Sequence, residues 1–342
     1  MKITTRTIKQ FLLGITLACT AGTMAQTNQR ILAGFTPGNL VVYRAGSGTG
    51  SLVNTGNPVF IDEYTTSGTL VQSIALPTTV TGSNQPLVCS GTASSEGLIS
   101  LSADGRYLVL TGYNATIPYA SSLTGTSSTA VPRVVGIINA SGVVNTTTSL
   151  TDAATGNNVR SAASTDGTNI WVTGGAGGVR YTTAGSTTST QLSTSVTNLR
   201  QLNIFNGQLY TSSSSGAFRL ATVGTGEPTT SGQTITNLPG FPTATGSPYG
   251  YFFADLSAVV SGVDVVYVAD DTPGSIQKYS LVSGNWVSNG TVTATAIRGL
   301  TGSVTSGTVV TLYGVTGGTS ASGGGSIYSF TDAGGYNTTL TG

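Results

Sequence analysis

The sequence predicts an all-β protein, a β-propeller of six blades, with seven blades as the alternative. The first observation behind this prediction is a unit of two strands joined by a tight turn, which is clearest at residues 265–280 and recurs along the chain. The second is the spacing of these units, because the aromatic residue that marks each first strand returns after 64, 64, 39, 57 and 46 residues. The third is the absence of helical periodicity after residue 25. The marker residues are Tyr43, Tyr107, Trp171, Tyr210, Tyr267 and Tyr313.

This spacing favours the propeller over other folds made of strands. Repeats of roughly 40 to 50 residues with about four strands each are typical of propeller blades. A β-solenoid or a pair of β-sandwiches is the alternative, since strands rich in Gly, Ser and Thr occur in those folds too. Solenoid repeats are shorter, however, and sandwiches lack a sustained period of four strands.

The unit at 265–280 shows why these residues form paired strands. Both alternating faces of residues 265–270 are largely apolar, which indicates a strand buried between two layers. Pro273 presets φ and Gly274 tolerates a positive φ, so a turn follows, and Ile276 resumes the apolar pattern. The same pattern predicts five further pairs, 41–43 with 59–61, 107–109 with 134–137, 170–172 with 178–181, 209–211 with 216–220, and 312–314 with 325–328.

Residues 1–25 have the pattern of a cleaved export signal. Lys2, Arg6 and Lys9 form a basic start, residues 11–18 form an apolar core, and Ala25 ends a cleavage site. Cleavage before Gln26 would leave one propeller domain over 26–342, secreted, extracellular or at the cell surface. The apolar core is too short to span a bilayer. A membrane anchor and a lipoprotein signal at residue 19 are the weaker alternatives.

In chain order, the first unit is expected to start with an innermost strand over 31–35, because no closing strand follows residue 342. Its last two strands are expected at 58–66 and 69–76. Asp-Gly or Asn-Gly at 104–105, 166–167 and 206–207 predicts hairpins between innermost and second strands, since both central residues of the favoured turn need a positive φ.

The strand and turn patterns resemble the secreted bacterial β-propellers of the broad YVTN/NHL-like kind. The residues that carry the resemblance are Tyr267-Val268-Ala269-Asp270 with Gly274-Ser275-Ile276, and the turns at 102–105 and 164–167. The resemblance covers nearly the whole mature chain and implies the fold. Such propellers include binding platforms, lyases, lactonases and scaffolds, so it implies no single activity.

Charge and residue content exclude several functions. Only 7% of residues are charged, and the mature chain would keep 10 basic and 12 acidic side chains without a basic run. Nucleic acid and anionic membranes are therefore not expected partners. Cys89 would be the only cysteine left, so no intramolecular disulfide can form. The chain has no histidine, which excludes Ser-His-Asp and Cys-His catalysis and histidine-bound zinc.

Three arginines stand at matching points of the predicted units. Arg160, Arg200 and Arg298 each lie at the start of an innermost strand, and these starts emerge at one end of the ring. Three guanidinium groups around a channel mouth would bind a carboxylate or sulfate. The alternative is that each arginine donates hydrogen bonds to carbonyls of the neighbouring blade.

A six-bladed ring with three arginines also resembles the sialidases, and residues 164–171 are similar to their Asp-box. The spacing departs from that motif, because glycine follows aspartate directly and threonine does not adjoin tryptophan. A sialidase-like glycoside hydrolase is therefore the weaker alternative.

Two other kinds of site are weaker predictions. Asp264, Asp270 and Asp271 would hold calcium, the one cofactor considered, although a turn that uses aspartate to cap its own backbone is the more common arrangement. The glycosylation pattern occurs about as often as chance predicts. Long loops at 45–57 and 114–131 are better candidates for contact. The asparagines in the glycosylation pattern are Asn114, Asn139, Asn145, Asn289 and Asn337.

These features together predict a non-enzymatic extracellular module with a structural, adhesive or self-assembling, fibre-forming role. A ring seam that is closed only by sheet packing leaves strand edges that can pair with a second copy. The expected assembly segment contains Gln26, Ile31, Leu32 and Phe35. The alternative is a ligand-binding propeller whose arginine-lined channel mouth binds an anionic extracellular glycan.

Overall fold

A computed structural model describes residues 2–4, 34–316 and 325–341 of the chain. The regular secondary structure of the described residues is almost entirely antiparallel strands joined by turns and loops, and its one helical element is a 3-10 turn at Leu123–Gly125. The first strand, β1, spans Lys2–Thr4. The described part of the chain contains no helix of the length and apolarity needed to cross a membrane.

The first large sheet has eight strands and contains the first two predicted units. Strand β3 pairs with β2, β4 and β5, and β7 pairs with β5, β6 and β8, so the short β5 joins the two units. The strands are β2 (Leu40–Ala45), β3 (Asn57–Tyr64), β4 (Leu70–Ala75), β5 (Val88–Cys89), β6 (Ser100–Leu101), β7 (Tyr107–Tyr113), β8 (Arg133–Asn139) and β9 (Val144–Leu150).

Three four-stranded meanders follow, each with its strands paired in chain order. The first contains β10 (Val159–Ser164), β11 (Asn169–Gly174), β12 (Arg180–Thr183) and β13 (Thr190–Gln191). The second contains β14 (Leu202–Phe205), β15 (Gln208–Ser212), β16 (Leu220–Val223) and β17 (Ile235–Asn237). The third contains β18 (Pro248–Ala254), β19 (Val265–Asp270), β20 (Ser275–Val282) and β21 (Asn285–Thr293).

The last sheet consists of β22 (Ile297–Thr305), β23 (Val309–Thr316) and β24 (Ser326–Asp332), with β1 paired along the outer side of β24. Beyond residues 2–4, the predicted signal peptide lies outside the described residues. Its cleavage, and with it the domain boundary at residue 26, stays a prediction.

Apolar clusters between neighbouring sheets hold the sheets in a ring. Val109 of β7 packs with Val172 of β11, and Tyr267 of β19 packs with Leu312 of β23 in equivalent clusters. The ring closes where Leu40 of β2 packs with Ile327 of β24 in a smaller cluster. This ring of sheets confirms the predicted all-β, propeller-like fold. The number of blades stays a prediction, because one sheet contains two of the predicted units.

The predicted strand pairs are present, but the second strand of the pair predicted at 209–211 and 216–220 is β16, in which Thr222 lies opposite Tyr210. Tyr43 lies opposite Ile61, Trp171 opposite Tyr181, and Val265 opposite Ser280. The turn at Asn206 and Gly207 has positive φ at both residues, as predicted. In the Asp-Gly turns at 104–105 and 166–167 only the glycine has a positive φ. Asp104 and Asp166 instead use their carboxylates to accept backbone N–H groups of the same turn.

The predicted innermost strand at 31–35 is wrong for the part that the structure describes. Residues 34 and 35 lie outside any strand, and residues 31–33 are outside the described range. The Phe35 N–H donates to the carbonyl of Ala140, at a turn of the eight-stranded sheet, and the Thr36 N–H donates to Glu63. These contacts hold the backbone in a loop that leads into β2.

Candidate functional site

The three predicted arginines lie together at one end of the ring. Arg160 is the second residue of β10, and Arg298 is the second residue of β22. Arg200 lies two residues before β14, which begins at Leu202. All three are half-buried. Because they stand at equivalent points of different sheets, one end of the ring carries three guanidinium groups.

Tyr249 of β18 lies at the centre of this group. The Arg200 guanidinium carbon lies 3.9 Å from the centre of the Tyr249 ring, and that of Arg298 lies 4.9 Å from it. A cation over an aromatic face is attracted by the ring quadrupole. The buried tyrosine therefore holds two positive groups in one place. We refer to Arg160, Arg200, Arg298 and Tyr249 as the arginine cluster.

Each arginine also donates a hydrogen bond to a carbonyl outside its own strand. Arg160 donates to Leu199 O at 3.0 Å, and Arg200 donates to Pro248 O at 2.8 Å. Arg298 donates to Ser94 O at 2.9 Å. The predicted alternative named carbonyls of the neighbouring blade; of the three acceptors found here, Pro248 lies in a strand, whereas Leu199 and Ser94 lie in loops between strands.

The positive charge of the cluster is only partly balanced by acidic groups. Arg298 pairs with Asp271 at 2.7 Å, whereas Arg160 donates to the amides of Asn158 and Asn198. Arg200 donates to the Ser247 hydroxyl in addition to its carbonyl partner. Two of the three guanidinium groups thus have neutral hydrogen-bond partners, which leaves an excess of positive charge.

The closeness of the three guanidinium groups affects the pKa values of the arginines. Burial lowers the pKa of Arg160, and the neighbouring charge of Arg200 lowers it further. Burial also lowers the pKa of Arg200, where Tyr249 and Asp271 act in the opposite direction and Arg298 adds to the lowering. In the described structure the Nε of Arg298 is buried and has no hydrogen-bond partner. A buried donor without a partner is uncommon, and a ligand is one way to satisfy it.

The loop between β5 and β6 also contacts the arginine cluster. We name residues 90–98 the central segment. Its Ser94 carbonyl accepts from Arg298, its Ser95 hydroxyl lies 3.2 Å from the Tyr249 hydroxyl, and its Leu98 N–H donates to Arg160 O. The central segment therefore contacts the last sheet and two of the meanders.

Glu96 of the central segment was not predicted as a site residue. Its Oε1 accepts from the Tyr113 hydroxyl at 2.5 Å, and its Oε2 accepts from the Ser90 N–H at 3.1 Å. Burial of the carboxyl raises its pKa to about 8, although Tyr113, Ser90 and the charges of Arg133 and Arg160 act to lower it. The residue as a whole is half-buried.

Sequence reasoning missed Glu96 because it lies in a stretch of small residues that forms no motif. A signal was present, since Glu96 is the only charged residue between Glu63 and Asp104. An isolated acid among small and apolar residues needs a partner from elsewhere in the chain. The sequence could not indicate that this partner is Tyr113.

The predicted calcium residues do not form one site. Asp264 accepts the N–H groups of Leu256 and Ser257, and Asp270 accepts those of Ser247 and Thr272, so both cap backbone. Asp271 pairs with Arg298 instead. Among the described residues no group of three acidic or cysteine side chains is arranged to hold a metal ion.

The remaining predicted residues are dispersed. The Phe35 side chain packs on the apolar cluster of the eight-stranded sheet, and the other predicted assembly residues lie outside the described range. The two long loops contact each other, since the Tyr119 N–H donates to Thr55 O at 2.7 Å. Asn139 accepts a backbone N–H group of its own turn, and Asn145 accepts one within β9. Asn114 donates to Gln85, and Asn289 donates to Asn337.

Two open hollows lie away from the arginine cluster. One, of about 590 Å³, is lined by residues between Gly224 and Thr236, and its only carboxylate belongs to Glu227. The other, of about 470 Å³, is lined by Pro58, Thr116 and nearby residues at the two long loops. Neither brings several titratable groups together.

No protein-family model matches this sequence, and no curated relative matches it. Several solved structures do match. The chain is 14% identical to a structure described as a putative 6-phosphogluconolactonase from Bacteroides uniformis, with 89% of this chain and 81% of that one covered and a TM-score of 0.48. It is 12% identical to the periplasmic gluconolactonase of Pseudomonas aeruginosa, with 85% and 95% covered and a TM-score of 0.42. It is 10% identical to the soluble aldose sugar dehydrogenase of Escherichia coli, with 85% and 99% covered and a TM-score of 0.47. At such identities the likeness concerns the fold alone.

These comparisons overturn one prediction made from the sequence. A non-enzymatic structural, adhesive or fibre-forming protein was predicted, whereas the matching structures include proteins named as gluconolactonases and sugar dehydrogenases, together with one named as an auxiliary nutrient binding protein. The prediction was wrong because low charge and Ser/Thr-rich strands are properties of the scaffold and do not report on its site. The YVTN/NHL-like repeat family is not shown by the comparisons.

Proposed function

We propose that this chain is a sugar-related enzyme whose arginine cluster binds the anionic group of a small sugar derivative. The observation that carries the proposal is the meeting of Arg160, Arg200 and Arg298 at one end of the ring, with the buried Nε of Arg298 unpartnered. Guanidinium groups bind phosphate and carboxylate through paired, charge-assisted hydrogen bonds.

The charge balance supports an anionic ligand. The hydrogen-bond partners of Arg160 and Arg200 are amides, a hydroxyl and carbonyls, and only Arg298 pairs directly with a carboxylate. A half-buried site with excess positive charge attracts anions more strongly than an exposed one, because solvent screens it less.

The neutral groups around the cluster support a ligand with many hydroxyls. The Ser95 and Ser247 hydroxyls and the Asn198 amide lie among the three guanidinium groups, around the buried Tyr249 ring. A few placed polar groups beside an aromatic side chain are typical of small-molecule sites. The proposed setting is extracellular, which depends on the predicted export signal at residues 1–25.

Thermal unfolding with a panel of compounds tests this proposal. At low ionic strength we expect 6-phosphogluconate and D-glucuronate to raise the melting temperature, and neutral D-glucose or added sodium chloride to have no such effect. The rise should be lost in separate variants Arg160→Gln, Arg200→Gln and Arg298→Gln. Arg106→Gln is the matched control, since Arg106 is exposed and bonds only within its own turn.

The structural alternative gives a different result. If the arginines only bind carbonyls of other sheets, their substitution lowers the melting temperature of the free protein and no sugar acid raises that of the wild type. A panel in which no anionic sugar stabilises the wild type would therefore contradict the proposed function.

A further inference from the structure

We propose that Glu96 donates a proton to the leaving oxygen when an ester bond of the bound sugar derivative is hydrolysed. This inference rests on the proposed function and adds a reaction and a residue to it. The substrate class is a carboxylic ester, including an internal ester such as a lactone, in a sugar that carries a phosphate or carboxylate.

The central segment places Glu96 beside the arginine cluster. The two residues before it make the contacts, since Ser94 accepts from Arg298 and the Ser95 hydroxyl lies next to that of Tyr249. Two residues after it, the Leu98 N–H donates to the backbone of Arg160. Glu96 is therefore fixed on both sides to residues that would hold the anionic end of a ligand.

Two hydrogen bonds orient the Glu96 carboxyl. The Tyr113 hydroxyl donates to one oxygen at 2.5 Å, and the Ser90 N–H donates to the other at 3.1 Å. Tyr113 is itself fully buried, so it cannot turn away without disturbing the core. A carboxyl held in this way is preorganised, as a group that transfers a proton must be.

Every titratable group that faces Glu96 is either neutral or positive near neutral pH. Burial raises the pKa of Cys89, Tyr43 and Tyr113 well above their ordinary values, so these groups stay protonated. Arg133 and Arg160 provide the positive charges near it. With its own pKa at about 8, Glu96 keeps its proton at neutral pH and can act as an acid.

The step balances in atoms and charge. A water oxygen bonds to the carbonyl carbon, and the arginine charges stabilise the negative oxygen that forms there. The bond from that carbon to the ester oxygen then breaks, and this oxygen takes the proton of Glu96. The proton released by the attacking water returns to the Glu96 carboxylate, which restores the acid. The net change is ester plus water giving a hydroxyl group and a carboxylic acid, and no oxidant or reductant is needed.

The test uses the full chain with 6-phosphoglucono-delta-lactone as the probe and measures proton release above the spontaneous rate. We expect the wild type to accelerate hydrolysis and Glu96→Gln to lower kcat by roughly a hundredfold or more. The wild-type rate should fall as the pH rises through about 8, and Glu96→Asp should retain part of the rate. Tyr113→Phe should move the pH at which the rate falls, which a merely structural role for Glu96 would not predict.

Binding of the product separates failure of this inference from failure of the proposed function. Glu96→Gln should still bind 6-phosphogluconate, because the arginines remain. If the wild type binds 6-phosphogluconate but does not accelerate lactone hydrolysis, or if Glu96→Gln hydrolyses it at the wild-type rate, Glu96 is not the acid and the inference is wrong. The proposed function would then still stand on the binding result.

Discussion

Two groups of charged residues lie inside this ring, and they are built in opposite ways. Lys278 of β20 and Asp332 at the end of β24 form an ion pair of 2.7 Å in which both side chains are 0% exposed. Lys278 also donates to Gly335 O, and Asp332 accepts from the Tyr267 hydroxyl. The arginine cluster, in contrast, brings three positive groups together, is half-buried, and leaves one buried N–H unpartnered.

If the proposed function is correct, this difference separates charges that stabilise the fold from charges that bind a ligand. In the Lys278–Asp332 pair opposite charges cancel and every described contact is to the protein, so the pair joins the third meander to the segment after β24. In the arginine cluster like charges repel, which costs stability unless an anion is present. Such a cost is typical of functional sites.

The largest loss of stability is expected when the buried Lys278–Asp332 ion pair is broken. Lys278→Met leaves the Asp332 carboxylate buried without its cation, so we expect the free energy of unfolding to fall by about 3–5 kcal/mol. Urea unfolding followed by tryptophan fluorescence measures this. The double variant Lys278→Met with Asp332→Asn should recover part of the loss, since no buried charge then remains. Equal losses in the single and double variants would show that packing, and not charge, explains the effect.

A smaller effect on stability is expected at the arginine cluster. Arg200→Gln removes bonds to Ser247 and Pro248 and the contact with Tyr249, so we expect a loss of about 1–2 kcal/mol without ligand. Part of this loss should be offset because repulsion from Arg160 and Arg298 is relieved. The same urea experiment compares the two sites directly. A loss as large as that of Lys278→Met would mean that Arg200 is chiefly a structural residue.

The raised pKa of Glu96 predicts how the stability of the protein depends on pH. Its pKa is about 8 in the folded protein against an ordinary value of 4.5, so between these values the folded state holds a proton that the unfolded state has released. Stability attributable to this group therefore falls as the pH rises through that window. Glu96→Gln removes the dependence, so its melting temperature relative to the wild type should be higher at about pH 9 than at about pH 5. A difference that does not change with pH would contradict the raised pKa.

The smallest effect is expected at the surface. Arg106 pairs with Asp104 within one turn, and its side chain is 66% exposed. Solvent screens such a pair, so Arg106→Gln should leave the melting temperature unchanged within error. A clearly lower melting temperature would mean that exposed ion pairs also contribute to the stability of this protein.

The sequence predicted those parts of the fold that depend on neighbours in the chain. Alternating apolar residues and Gly-containing turns identified the pairs at Tyr43, Trp171 and Val265, because each hairpin is a local structure. The short β5, which joins two units, has only two residues and no periodicity to detect. Residues 34 and 35, the described end of the strand expected at 31–35, lie in a loop because contacts of Phe35 and Thr36 with distant residues override the local pattern.

The sequence predicted only the part of the candidate site that depends on local patterns. The arginines could be found because each repeats at the start of a predicted unit. Their convergence on Tyr249 and the approach of Glu96 depend on contacts between sheets, such as the bond from Arg298 to Ser94, 204 residues apart. Such separations leave no periodic trace in one sequence.

Isothermal titration calorimetry of 6-phosphogluconate against the wild type and Arg200→Gln at low ionic strength tests the arginine cluster most directly. We expect saturable binding to the wild type, binding weaker by roughly tenfold or more in the variant, and no heat from D-glucose with either protein. Absence of binding to the wild type, or equal affinity for both proteins, would contradict the claim that the arginine cluster is a site for an anionic sugar.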